Sequence, residues 1–212
     1  MSGSGAVQPS ALGLRANALL VGLPAAKVDD LARECTWRNY AAGMQIISRE
    51  SDDRDLYLIV SGRVRVTTYS AAGRQVTFRD LGSGEFFGDL AAIDGLPRSA
   101  DIVALESTLL AAMSPPLFWR LLHEEPTVAE RMLRRLAALV RRLSDRVIAL
   151  STHSVQHRII AELLRLAREA GIKANTARID PAPKHADLAS QVSTYREQVT
   201  RELSALVKAG VL

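Results

Sequence analysis

Between Phe86 and Ala100 the chain reads FFGDLAAIDGLPRSA, and here the residue types and their spacing point to ligand chemistry. Gly88 permits a close backbone approach where a helix begins. The first N–H groups of a helix are unpaired and carry partial positive charge, which suits an anion. Asp89 at that start is an acceptor. Its carboxylate cannot ligate a phosphate, but it can accept a hydroxyl proton, as from a sugar. Arg98 supplies a planar donor fork of permanent charge, matched to phosphate oxygens. Ser99 and Ala100 are small, so the backbone beside Arg98 can close on a ligand. A phosphate-donor set and a hydroxyl acceptor therefore lie about ten residues apart.

In order, Gly88, Asp89, Leu90, Ala91, Arg98, Ser99 and Ala100 resemble the phosphate-binding cassette of cyclic-nucleotide-binding domains, which reads approximately F-G-E-L-A-L-(x)n-R-(S/A/T)-A. The resemblance implies that Arg98 and Ser99 hold a cyclic phosphate and that the acid holds the ribose 2′-hydroxyl. Asp89 departs from the Glu usual in the family. It is one methylene shorter, which bears on affinity more than on role.

Composition narrows the function classes. The chain has 212 residues, 48% hydrophobic and 24% charged, enough for one large or two modest domains. No apolar run approaches the ~18 residues of a membrane span. The start, MSGSGAVQPSALG, lacks the basic and apolar regions of a signal peptide. Residues 1–16 read as a flexible tail, and the expected location is cytoplasmic. The single Cys35 excludes an internal disulfide and a four-thiolate cluster, and His123, His153, His157 and His185 lack metal-ligand spacing, so no metal is expected. No nucleophile–base pair or phosphate-binding P-loop is visible, which argues against an enzyme. The net charge of +4 permits a nucleic-acid partner without establishing one.

The elements that would position the cassette follow from periodicity. Residues 11–40 read as a helical cap, with a short helix opened by Pro24. Residues 41–113 change character: glycines recur between short apolar runs, and IISRE, DLYLIVSG, RVRVTTYS, RQVTFRDL and SADIVALESTLLAAM read as strands. Ala71-Ala72-Gly73-Arg74 reads as a hairpin turn. Strands this closely spaced suggest a β-barrel or β-roll. Residues 114–125 form a short helix. From Thr127 to about Ser151 no Gly or Pro occurs, and Val128, Met132, Leu136, Leu139, Leu143, Val147 and Leu150 form one helical stripe. A stripe on ~37 Å of helix favours a partner helix, hence a parallel coiled-coil homodimer. Arg131, Arg134, Arg135, Arg141, Arg142, Asp145 and Arg146 occupy the other faces. By the family resemblance this helix also closes the nucleotide pocket. An ungapped count from Pro126 puts Ser144 at a base-contacting serine and Leu143 where a base-contacting threonine is usual. A serine hydroxyl can meet the amino group of adenine or the carbonyl of guanine, so cAMP and cGMP both remain open as effector.

Ser154 is an N-cap for a helix from Val155 to about Ala170, ended by Gly171, so Ser151–Ser154 reads as a hinge. Residues 172–183 read as a hairpin or loop. His185–Gln191 and Thr194–Ala209, joined by Val192 and Ser193, read as a helix-turn-helix, with Leu188 and Ala189 facing inward and Val199, Leu203 and Leu206 on the second helix's buried face. Arg196, Glu197 and Arg201 would face DNA bases, while Thr194, Tyr195, Gln198 and Thr200 could add phosphate or base contacts. The pattern S-x-x-R-E-x-V-x-R-x-L over Ser193–Leu203 resembles the recognition helix of the Crp/Fnr regulators. Family members usually continue into a β-hairpin wing, and the sequence reaches Leu212 before one, so the expectation is a winged-helix type domain whose wing is either cut off or absent.

The expected fold class is α+β. The expected organisation is a tail (1–16), a β-roll, jelly-roll-like nucleotide domain (17–125), a dimerisation helix and hinge (126–153) and a DNA-binding domain (154–212). The resemblance implies a cyclic-nucleotide-responsive transcription regulator, cAMP foremost and cGMP possible, that binds a palindromic duplex as a homodimer and contacts RNA polymerase, with no membrane partner. Two alternatives stay open. One is a regulator of this fold that uses no cyclic nucleotide. The other is a nucleotide-binding module acting on a protein partner.

Overall fold

The computed structural model describes residues 11–49, 51–70 and 75–212. The chain divides into two compact units, Met1–Thr68 with Phe78–Ala137, and Tyr69–Thr77 with Ala138–Leu212. The expected turn at 71–74 and the first ten residues of the expected tail lie outside the described residues.

The first unit opens with helices α1 (Ala11–Arg15) and α2 (Ala25–Glu34). Residues 11–16 fall both in the expected tail (1–16) and in the expected helical cap (11–40), and the structure agrees with the cap. Helix α1 buries Leu14 completely, and Leu19 and Leu20 behind it are equally buried. The expected cap ends early, however: Thr36–Tyr40 is strand β1, hydrogen-bonded along its length to β8. Its sequence, TWRNY, has no clean alternation because most of its residues are exposed on a sheet edge.

Seven further strands follow: β2 (Gln45–Ile47), β3 (Leu56–Ser61), β4 (Arg63–Tyr69), β5 (Gln75–Gly82), β6 (Phe86–Phe87), β7 (Asp101–Ala104) and β8 (Thr108–Met113). They form two four-stranded sheets, ordered β1-β8-β3-β6 and β2-β7-β4-β5. The pairs β1–β8, β8–β3, β3–β6, β2–β7 and β7–β4 are antiparallel. The first sheet is covered on both faces, which explains the unbroken apolar run LYLIV in β3. Successive side chains point to opposite faces. Tyr57 and Ile59 enter the cluster between the sheets, with Val64, Phe87, Ile102 and Leu110. Leu56 and Leu58 point the other way, into a cluster with Leu14, Leu31, Phe118 and Val128 from the helices. Gly62 joins β3 to β4 at φ +91°, where a Cβ would fall 2.5 Å from the Ser107 carbonyl oxygen.

Helix α3 (Asp89–Asp94) lies between β6 and β7, and α4 (Pro115–Glu124) follows the barrel. Helix α5 (Pro126–Thr152) is continuous for 27 residues. Its apolar stripe divides in two. Val128 and Met132, with Leu136 beside them, pack into their own unit's core, while Leu143, Val147 and Leu150 are exposed, as are Leu133 and Val140 outside the stripe.

In the second unit α6 (Val155–Ala170) is capped by Ser154, whose Oγ accepts the His157 N–H at 3.3 Å. Helices α7 (His185–Gln191) and α8 (Arg196–Lys208) form the helix-turn-helix around Ile159, Leu188, Ala189, Val192 and Val199, with Leu203 packed against them. Ser193 turns the chain at φ +56°, and the Thr194 N–H closes the turn on the Ala189 carbonyl at 2.9 Å. The second helix starts two residues later than the sequence suggests, because Tyr195 is extended at its N-cap. The fold is α+β throughout, as expected.

Candidate functional site

The cassette is built on a tight turn. Gly88 has φ +85° and is the N-cap of α3; a Cβ there would fall 2.7 Å from both Arg98 Nη1 and the Asp55 carbonyl oxygen. Only glycine accommodates that backbone together with that approach. The turn presents Asp89 at the helix start, with Ala91 buried behind it and Leu90 on the exposed side. Ser99 is exposed and Ala100 half-buried.

Arg98 lies across this turn and is only 4% exposed. Its guanidinium passes 5.8 Å from the Tyr57 ring centroid, and that ring stacks on Phe87. Nη1 donates to the Gly88 carbonyl at 3.1 Å, and Nη2 donates to the Asp55 carbonyl at 2.8 Å and to Asp53 Oδ2 at 2.7 Å. Nε is buried and has no partner. A buried N–H of a charged group without an acceptor is costly, and an anion's oxygen would satisfy it.

Asp53 is the residue the sequence reading missed. The Tyr57 hydroxyl also donates to its Oδ2, at 2.7 Å, and the Asp55 N–H donates to Oδ1 at 3.0 Å. Burial pushes its carboxyl upward, but the hydrogen bonds from Asp55, Tyr57 and Arg98 outweigh it and hold the pKa below the ordinary aspartate value. Beside it Asp55 goes the other way: burial, then the Asp53 charge, raise its carboxyl. The local run is Ser-Asp-Asp-Arg-Asp. Nothing local shows that its Asp53 meets an arginine 45 residues onward.

Asp89 is also engaged. Its Oδ2 accepts from Arg135 Nε at 3.1 Å, and Arg135 Nη2 donates to the Phe86 carbonyl at 2.6 Å. The Arg135 guanidinium lies 3.8 Å from the Phe86 ring centroid, a cation–π contact. Periodicity put Arg135 on an outer face of α5. In the fold it clamps the cassette and is largely buried.

The other expected ligand residues, Leu143 and Ser144, belong to the second unit. Leu143 is 43% exposed, and the exposed Ser144 donates its hydroxyl to the Val140 carbonyl one turn back, at 3.0 Å.

Of the expected DNA-facing residues, Tyr195, Arg196, Glu197, Thr200 and Arg201 are exposed along the start of α8. Thr194 is 6% exposed, so a base or phosphate contact from its side chain is not what this turn offers. Thr200 shares a hydrogen bond with His185 Nδ1 at 2.8 Å. Arg146, another residue read as an outer face, donates to the Gln191 carbonyl at 3.3 Å and to Ser193 Oγ at 3.1 Å, tying α5 to the helix-turn-helix turn. Among the described residues no helix is long and apolar enough to cross a membrane.

Comparison with known proteins agrees with both units. Residues 37–125 match the family described as Cyclic nucleotide-binding domain, and residues 157–212 match the Crp-like helix-turn-helix domain. The chain is 31% identical over 201 residues to the Cyclic AMP receptor protein of Thermus thermophilus, covering 94% of this chain and 89% of that protein. The solved structure of the Thermus thermophilus Catabolite Activator Protein superposes with TM-score 0.59 at 32% identity, covering 92% of this chain and 89% of the other. The c-di-GMP responsive regulator CLP of Xanthomonas campestris, at 20% identity, shares the fold with TM-score 0.78 over 88% of this chain and 93% of its own. A nucleotide-binding β-roll domain, a Crp-like helix-turn-helix and this identity over nearly the whole chain place the protein in the Crp/Fnr family of non-enzymatic, DNA-binding transcription regulators.

Proposed function

We propose that this chain is a homodimeric regulator that binds a cyclic purine nucleotide, cAMP foremost, and thereby binds a palindromic DNA site. The observation that carries the ligand is Arg98, a buried cation beside a glycine-opened helix start, with its Nε unpaired. Gly88, Asp89, Leu90, Ala91, Ser99 and Ala100 would complete the cassette. Ser144 would meet the base, and Leu143 in place of a hydroxyl-bearing residue leaves cGMP open. The Thermus thermophilus relative, named for cyclic AMP, supports the choice of nucleotide. Exposed Arg196, Glu197 and Arg201 support base reading by α8, with Tyr195 and Thr200 beside them. The expected division into tail, β-roll, dimer helix and DNA-binding domain, a cytoplasmic location and a contact with RNA polymerase belong to the same proposal.

One observation favours a second reading, a regulator of this fold without a cyclic nucleotide. Arg98 and Asp89 both have internal ionic partners, Asp53 and Arg135. The neighbour described as c-di-GMP responsive illustrates a different effector on this fold. Isothermal titration of the full chain with cAMP and, separately, cGMP decides. Binding by the wild type, abolished in a folded Arg98→Ala variant, is the expected result. Normal binding by that folded variant would overturn the pocket assignment, and binding of neither nucleotide would favour the second reading.

A further inference from the structure

The guanidinium of Arg98 has two edges that can chelate an anion, Nε with Nη2 and Nη1 with Nη2; the Cδ methylene separates Nε from Nη1. Both edges need Nη2. Here Nη2 is fully committed, one hydrogen to the Asp53 carboxylate at 2.7 Å and the other to the Asp55 carbonyl at 2.8 Å. The two free N–H groups, Nε and the second hydrogen of Nη1, lie on no common edge. A phosphate arriving at Arg98 therefore finds one-point contacts only, unless an internal acceptor gives way.

Charge gives the same answer. The guanidinium groups of Arg98 and Arg135 are each faced by a carboxylate, Arg98 by Asp53 and Arg135 by Asp89. Asp53 has somewhere to go. The Tyr57 hydroxyl and the Asp55 N–H already hold its two oxygens, at 2.7 Å and 3.0 Å, so the carboxylate keeps hydrogen bonds when Arg98 turns to another anion. The side chain is also the more accessible of the pair: Asp53 is 29% exposed against 3% for Arg98.

We propose that Asp53 is an affinity-setting residue, an internal carboxylate that occupies the chelating nitrogen of Arg98 and that a phosphate must displace. The proposal rests on the nucleotide reading above only for which phosphate arrives. Asp53 limits the resting affinity of the cassette, and the Tyr57 hydroxyl helps the exchange by receiving the displaced carboxylate. Two substitutions should then move affinity in opposite directions. Asp53→Asn keeps the size and an acceptor oxygen but removes the competing charge. Tyr57→Phe removes one of its two other donors, the one on the oxygen that Arg98 shares, so the carboxylate is held harder on Arg98.

The experiment titrates cAMP and cGMP into the full-length wild type, Asp53→Asn and Tyr57→Phe, with thermal melts of each protein in increasing inorganic phosphate. The expected result is at least tenfold tighter nucleotide binding by Asp53→Asn and severalfold weaker binding by Tyr57→Phe. Asp53→Asn should also gain a phosphate-dependent rise in melting temperature that Asp53→Asn/Arg98→Ala lacks. Unchanged or weaker binding by a folded Asp53→Asn, without that phosphate-dependent gain, would overturn the proposal and make Asp53 a partner that merely orients Arg98. Should Asp53→Asn fail to fold, Tyr57→Phe decides by itself: unchanged or tighter binding overturns the competition. If no protein binds a nucleotide but Asp53→Asn gains the Arg98-dependent phosphate shift, the nucleotide reading fails and the competition stands. Equal nucleotide binding by all three proteins has the reverse meaning.

Discussion

At the scale of single residues, the cassette sets two aspartates two positions apart against each other. Asp53 carries its charge at a profit of three hydrogen bonds, while Asp55 carries a charge that burial and Asp53 disfavour, only partly offset by Arg38 and Arg98. The linkage has a definite sign. Because the folded pKa of Asp55 lies above its unfolded value, its contribution favours the fold at low pH and is lost as pH rises through the folded pKa. Charged Asp55 is therefore a liability at neutral pH. Asp55→Asn, which keeps the carbonyl that Arg98 uses, should raise stability to urea at pH 7, and the gain over wild type should vanish as pH falls through the raised Asp55 pKa. The pH series of urea midpoints checks this; a gain that persists at acid pH would place the effect elsewhere. Asp53 contributes with the opposite sign. Its stabilisation is present above the unfolded pKa and is lost as pH falls through its lowered folded value.

At the scale of elements, α5 serves two masters along its length. Its first turns bury Val128 and Met132 in the core of their own unit, which explains why the stripe is not free throughout. Farther on, Val140, Leu143, Val147 and Leu150 recur at steps of three and four residues and stand exposed, the spacing of a coiled-coil seam. Val140 and Val147 are 63% and 64% exposed, so replacing them removes little packing within the chain. Val140→Glu/Val147→Glu should convert a dimer to a monomer with an unchanged circular dichroism spectrum. Sedimentation equilibrium is the measurement, and a dimer that survives both charges would move the interface off this helix. Arg146 adds a second duty. It reaches the turn between α7 and α8 through Gln191 and Ser193, so the second half of α5 also touches the helix-turn-helix.

At the scale of the whole molecule, the proposed function requires coupling, and coupling is reciprocal. If cyclic nucleotide raises affinity for the operator by some factor, the operator must raise affinity for the nucleotide by the same factor. Titrating nucleotide into the protein with and without a saturating duplex, and duplex with and without nucleotide, should give equal ratios; a one-sided effect would mean that the two sites are not linked through one equilibrium. Base reading has its own signature. Arg196→Ala should cost about 1–3 kcal/mol on the preferred duplex and relax preference at one base pair, while binding to random duplex changes little. Competition binding at fixed salt is the check, since affinity without stated salt says little. An unchanged preference would remove Arg196 from the reading surface.

Much of this was legible in the chain. Gly88, Asp89 and Arg98 are diagnostic because a positive-φ turn, a helix start and a fixed cation are local demands on residue type, and local demands leave local patterns. The same holds for the Ser154 cap, the inward Leu188 and Ala189, and the alternation in β4. Where burial is two-sided or partners are distant, the patterns fade. Strand β1 was hidden because an exposed edge strand need not alternate, and the bounds of α1 because five residues are too few for periodicity. Thr194 looked available because its type suits DNA, yet the turn closes over it. Arg135 and Arg146 read as solvated because periodicity reports which face a residue is on, not what comes to meet that face. The sequence by itself determined the two kinds of unit, their order and the residue types that could meet a phosphate and a base pair. Only the tertiary structure decided that Asp53 and Tyr57 reach Arg98 and that Arg135 reaches Asp89. Those contacts join positions dozens of residues apart, and the side chains that make them are of ordinary surface type; their role comes from low exposure and proximity, which are properties of the packed chain.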